Sequence, residues 1–132
     1  MLKELVNYVD TQTSFTAGTD LMAGYVPDSI KGDCVIFIES GGKPNFYLPD
    51  APQKMIQVLS KATDYHVARA NAQIVYDLLH GAVGITLSAI LTGGKEYTVN
   101  TCEAVSEPQS LGQDERGMFN ISTNYILRIQ DK

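Results

Sequence analysis

The 132-residue chain is poor in the groups that usually carry chemistry. It has two cysteines, Cys34 and Cys102, and two histidines, His66 and His80. A secreted disulfide scaffold would hold more cysteines in a shorter chain. Both cysteines lie in apolar, strand-like segments, so two buried thiols are expected. No apolar run approaches the length of a membrane span. The first ten residues, MLKELVNYVD, carry Glu4 and Asp10 and lack the continuous apolar core of a signal peptide. Folding in a cytoplasm is the expectation. Positive charge is also short: ten Lys and Arg against fifteen Asp and Glu give a net charge of −5. A mildly acidic surface does not suit wrapping DNA. Asn120-Ile121-Ser122 matches a glycosylation sequon, which without a secretory signal reads as chance.

What the chain does have is ordinary globular composition: 44% hydrophobic and 19% charged. Its length is that of one domain, so residues 1–132 are expected to form a single α+β unit. Leu2, Leu5, Val6 and Val9 fall at helical spacing, which predicts a helix over 2–13. A short strand is possible over 20–26, closed by Pro27. The run Val35-Ile36-Phe37-Ile38 predicts a buried strand over 33–39. Pro44, Pro49 and Pro52 then mark 40–53 as a loop, which carries Phe46, Tyr47 and Leu48. Ile56 and Val58 alternate with Gln57 and Leu59, giving a strand over 54–62. Thr63 or Asp64 can cap a helix over 65–80, with Val67, Ala70, Ile74, Val75, Leu78 and Leu79 as its apolar face and His80-Gly81 as its stop.

The second half reads as strands. Part of 84–91 and all of 96–106 have strand character, with Gly93-Gly94 as a turn between them. Residues 108–117 read as a polar loop. Over 118–130, Phe119, Ile121, Thr123, Tyr125, Leu127 and Ile129 alternate with Asn120, Ser122, Asn124 and Arg128. The strands flanking the polar loop make one long C-terminal hairpin. No internal repeat and no low-complexity tail interrupt the pattern. The order of elements suits an antiparallel or mixed β-sheet with two α-helices packed on one face.

Catalytic and metal-binding patterns are weak. His66 and His80 sit near opposite ends of one predicted helix, about 20 Å apart at the rise of an α-helix. They cannot share a metal ion, and neither has a second ligand one turn on. Gly41-Gly42-Lys43 and Gly93-Gly94-Lys95 lack the spacing of a phosphate loop and read as tight turns. No nucleophile elbow is present. Asp114 and Glu115 beside Arg116 could be an acid/base pair, a solvated loop tip or a contact with a neighbouring subunit; the solvated tip is the commonest of these. The polar strand face of Asn120, Ser122, Asn124 and Arg128 suits either solvent or a wet interface.

Two stretches carry a family likeness. KMIQVLSKATDYHVARANAQIVYDLLHG couples a strand to a helix through a short acidic cap. VSEPQSLGQDERGMFNISTNYILRI gives a strand, a polar Gly-Gln-Asp-Glu-Arg-Gly loop and a strand ending in alternating aromatics and aliphatics. Together they resemble the minor capsid, or tail-terminator, proteins of long-tailed phages. The resemblance implies a non-enzymatic virion protein at the tail-head junction, with no cofactor, no metal and no membrane. It implies a homo-oligomeric ring, a hexamer, that caps the tail tube, stops its polymerisation and docks the head connector. The partners are then further copies of the chain, the tube protein and the connector, with DNA only passing through the lumen. Candidate contact residues are Gln113, Asp114, Glu115 and Arg116 in the 109–117 loop, Phe46, Tyr47 and Leu48 in the proline-rich loop, and Asn120 and Asn124 on the polar strand face. The competing readings are a head-completion (neck) protein, a hydrolase using Asp114 and Glu115, and a binding module with Phe46 and Tyr47 as an aromatic lip.

Overall fold

A computed structural model describes residues 2–24, 32–43, 53–88, 96–113 and 117–131. Helix α1 (Leu2–Gln12) precedes strands β1 (Leu21–Ala23), β2 (Cys34–Lys43) and β3 (Gln53–Ala62). Helix α2 (Tyr65–Leu79) follows, then β4 (Ala82–Leu87), β5 (Tyr97–Ala104), β6 (Gln109–Gln113) and β7 (Phe119–Asp131). The strands form one seven-stranded sheet in the order β1-β2-β3-β7-β5-β4, with β6 paired to β7. β1 lies parallel to β2 and every other pairing is antiparallel. The mixed sheet and the two helices are as the sequence predicts.

The alternation in β7 explains why it sits at the centre. Ile121, Tyr125, Leu127 and Ile129 are at most 1% exposed. They share one face with Ile56 and Val58 of β3 and with Val35 and Phe37 of β2, and both helices close that face. From α1 come Leu5, Val6 and Val9; from α2 come Val75 and Leu79. α1 lies against β1 and β2 at one end of the strand order and against β4 at the other, so the sheet curls toward its helices. On the opposite face Met22, Cys34 and Ile36 form a second apolar cluster with Ile38 and Leu59.

α2 begins where the sequence places it. Asp64 is its N-cap, and its carboxylate accepts a hydrogen bond from the His66 N–H at 2.8 Å. Asp64→Ala should lower stability by about 1 kcal/mol in a urea titration, because that N–H loses its acceptor. The helix ends at His80, whose Nδ1 accepts the Ala104 N–H at 3.0 Å while its ring stacks on Tyr76. That bond ties the end of α2 to β5.

Three expectations are corrected. Residues 40–43 continue β2, and Gly41-Gly42-Lys43 pairs with Met55, Lys54 and Gln53 instead of turning. A bulge between Glu39 and Gly41 absorbs the extra residue, a common use of glycine in a strand. Residues 109–113 are strand β6 and not loop; all five are exposed, so apolar alternation has nothing to mark. Finally, the face of α2 against the sheet is Ala68, Ala72, Val75 and Leu79, while Val67, Ala70 and Ile74 are exposed. Val75 and Leu79 are buried as expected and Leu78 packs against the core, while the small Ala68 and Ala72 let the helix approach the sheet closely. The Gly93-Gly94 turn and Pro27 lie outside the described residues.

Candidate assembly surface

The β6–β7 hairpin carries the best-defined candidate surface. β5 and β6 both pair with β7 along one side: Ala104 lies opposite Tyr125, and Gln109 opposite Ser122. Between them Val105 to Pro108 bulge out, with the Val105 N–H donating to the Asn124 carbonyl at 2.8 Å. Residues 97–131 are therefore one long hairpin with an interrupted arm. Its last described pair is Gln113 opposite Phe119.

The turn is held by its own residues. Gln113 donates from Nε2 to the Gly117 carbonyl at 2.8 Å. Gly112 (φ 88°) and Gly117 (φ 79°) adopt the left-handed backbone that other residues resist. Ser110 Oγ accepts the Gly112 N–H at 3.2 Å. Asp114, Glu115 and Arg116, between these anchors, lie outside the described residues. So do Phe46, Tyr47 and Leu48, which the chain places between the ends of β2 and β3.

Gln113 and Asn120 lie in adjacent pairs at the hairpin end, Gln113 opposite Phe119 and Asn120 opposite Gly112. Asn120 is opposite Gly112 on one side and Lys61 on the other, and its Nδ2 donates to the Met118 carbonyl. Asn124 lies four residues further along β7, about 13 Å away at strand rise, and its side chain is exposed. The polar face is thus laid out along β7. It includes a Gln57–Ser122 side-chain hydrogen bond at 3.0 Å and an Arg128–Glu103 ion pair at 3.2 Å between half-exposed groups. Such a pair adds little stability in water, but it neutralises the face locally.

Three exposed aliphatics were missed by sequence reasoning. Val83 is 70% exposed, Leu111 59% and Val105 56%, all on the β4–β5–β6 side. Val105 was assigned to the 96–106 strand, Leu111 to a polar loop. Only knowledge of the pairing shows that all three line one edge.

No reactive constellation emerges from the described residues. Burial pushes the Cys102 thiol up to about 12, with Glu103 adding to the effect, and burial also raises Cys34. The two cysteines are free and point to opposite faces of the sheet. Among the described residues no three metal-ligating side chains cluster, and no helix is long and apolar enough to cross a membrane.

The sequence pattern of a family described as bacteriophage tail terminator proteins matches residues 8–131. The chain belongs to that family. The match runs from the middle of α1 to the end of β7 and takes in residues 54–81 and 105–129. No individual characterised protein matches the chain in sequence. That family is one of structural phage tail proteins.

Proposed function

We propose that this tail terminator assembles as a ring of six on the head-proximal end of the tail tube. The ring stops tube polymerisation with one face and receives the head connector with the other. DNA passes through the lumen, where an acidic chain with a self-neutralised polar face offers phosphate little to hold. The family match over residues 8–131 carries this reading. It needs no bond-making step: one surface must fit the last tube ring, and the edges must fit neighbouring copies.

The tube contact is assigned to the hairpin turn, Gln113 with Asp114, Glu115 and Arg116. The Gln113–Gly117 bond and the left-handed Gly112 and Gly117 fix the two ends from which this segment departs. The Phe46-Tyr47-Leu48 segment is the second contact, and the Asn120–Asn124 face the third.

Replacing Asp114, Glu115 and Arg116 together by alanine should leave the unfolding free energy from a urea titration within about 0.5 kcal/mol of wild type if contact with a partner is their role. Tubes assembled with this variant should grow long and variable in electron micrographs. Tubes of wild-type length would remove the turn from the tube contact. Binding to capsids alone, with none to tubes, would favour a neck role instead.

A further inference from the structure

We infer that β6 is a removable guard strand. In the free subunit it covers the outer edge of β7 at 119–122, and on docking it gives that edge up to an extended, uncharged segment of the tail tube protein. The inference rests on the tube contact assigned above to the adjoining turn, and it names the event that makes the contact.

Little holds β6 in place. All five of its residues, Gln109–Gln113, are exposed, so no apolar burial of its own is lost when it leaves. Its side-chain hydrogen bonds stay inside the hairpin: Ser110 Oγ accepts from the Gly112 N–H, and Gln113 donates to the Gly117 carbonyl. What ties it to the sheet is backbone pairing with Phe119–Ser122 of β7, interrupted by the shift between Ser110 and Gly112. Exposed backbone bonds contribute little net stability, because water replaces them on opening. Low burial with solvent-exposed backbone bonds marks the segments that open first. The strand can also leave alone. β5 ends at Ala104, and Val105 keeps its own bond to the Asn124 carbonyl. Ser106, Glu107 and Pro108, which lie between the two strands, form the hinge.

The edge beneath is already built. Ile121 is fully buried with Ala62, Ala68 and Ala72, and Phe119 packs against that cluster. Phe119 also meets Tyr65 of α2 edge-on at 5.8 Å. On the other side β3 pairs with 119–122 without a register shift. None of these supports comes from β6. The edge residues Phe119, Asn120, Ile121 and Ser122 carry no charge. A partner strand finds there a regular, uncharged template for main-chain pairing.

The guarding role follows from the contrast between the two edges. The bulge in β6 makes its own outer side a poor template, and bulges are one way in which sheets avoid unwanted pairing. With β6 in place the subunit shows the poor edge, and with β6 released it shows the good one. The occupant is the tube because β6 ends at Gln113, the described end of the turn to which the tube contact is assigned.

Amide exchange of the free subunit tests the release. The β6 amides bonded to β7 should exchange at least about 100-fold faster than those of β3, at a rate that low urea does not change. Exchange of β6 together with β3, at one urea-dependent rate, would overturn the inference. A lock gives the second arm. Gln109 lies directly opposite Ser122, and such pairs across antiparallel strands are within disulfide reach. Gln109→Cys with Ser122→Cys should form that bond on oxidation, while Cys34 and Cys102 stay buried and free. Both redox forms lack the Gln57–Ser122 hydrogen bond, so comparing them isolates the lock. The oxidised form should keep its circular dichroism and cap tubes at least about tenfold less well than the reduced form. Equal capping by the two forms would overturn the inference. A lock that blocks association between copies and spares capping would also overturn it, by giving the edge to a second copy. Wild-type protein that never caps tubes would remove the capping reading itself, a result distinct from these.

Discussion

Tyr125→Ala should cost about 3–5 kcal/mol, enough to leave much of the protein unfolded at ordinary temperature. Tyr125 is fully buried and heads the largest such side chains. It lies between Ile56 of β3 and Ala104 of β5, under α2, where no neighbour can collapse into the space. Tyr125→Phe should act in the opposite direction. Among the described residues the buried hydroxyl makes no well-formed hydrogen bond, with Thr123 a nearby polar side chain, and removing such an under-satisfied buried group should raise stability by up to about 1 kcal/mol. Urea midpoints of the three proteins check both signs.

Alkali gives a further check on the same residue. Burial pushes the Tyr125 phenol above its ordinary value, with Cys102 adding to the shift. A group whose pKa is raised by folding contributes its stability below its unfolded pKa and loses it as pH climbs toward the folded one. Stability should therefore fall above about pH 8.5–10, where free thiols and phenols ionise, and Tyr125→Phe should flatten the phenol's part of that fall.

Ala72→Leu should be nearly as damaging as the loss of a core side chain. Ala68 and Ala72 are 0% and 2% exposed and pack α2 on Ala62 of β3 and Ile121 of β7. Extra methylenes there must push the helix off the sheet, at about 1–3 kcal/mol. Displacement would also stretch the Ser60 hydroxyl from the Ala68 carbonyl, now 2.8 Å away in a fully buried site. An unmade buried bond adds about 1–3 kcal/mol. Ala70→Leu, about half a helical turn away on the exposed flank, should change stability by less than about 0.5 kcal/mol. Thermal melts of the two variants separate the contact face from the flank.

The alanines also show where sequence and fold part company. Hydrophobic spacing located α2 and its cap because Asp64 and the apolar repeat are local features. It finds Val75, Leu78 and Leu79 but misses Ala68 and Ala72 and adds the exposed Val67, Ala70 and Ile74, because close packing against the sheet selects small residues that hydrophobic spacing does not single out. β7, β3 and α1 were legible for the ordinary reason that one buried face enforces a period. β6 was not: an edge strand with five exposed residues has no face to pattern. The extension of β2 through Gly41 and Gly42 was hidden by a bulge that resembles a turn in composition. The hairpin was readable as a unit, but not the break at Val105–Pro108 or the row of aliphatics beside it. An assembly surface is complementary to molecules outside the chain, so its residues need no pattern within the chain.

Addition of the purified protein to polymerising tail tubes, followed by electron microscopy, tests the capping role most directly. Tubes should stop lengthening and carry a ring of uniform diameter at one end only. Continued growth at saturating protein, with bare ends, would contradict it.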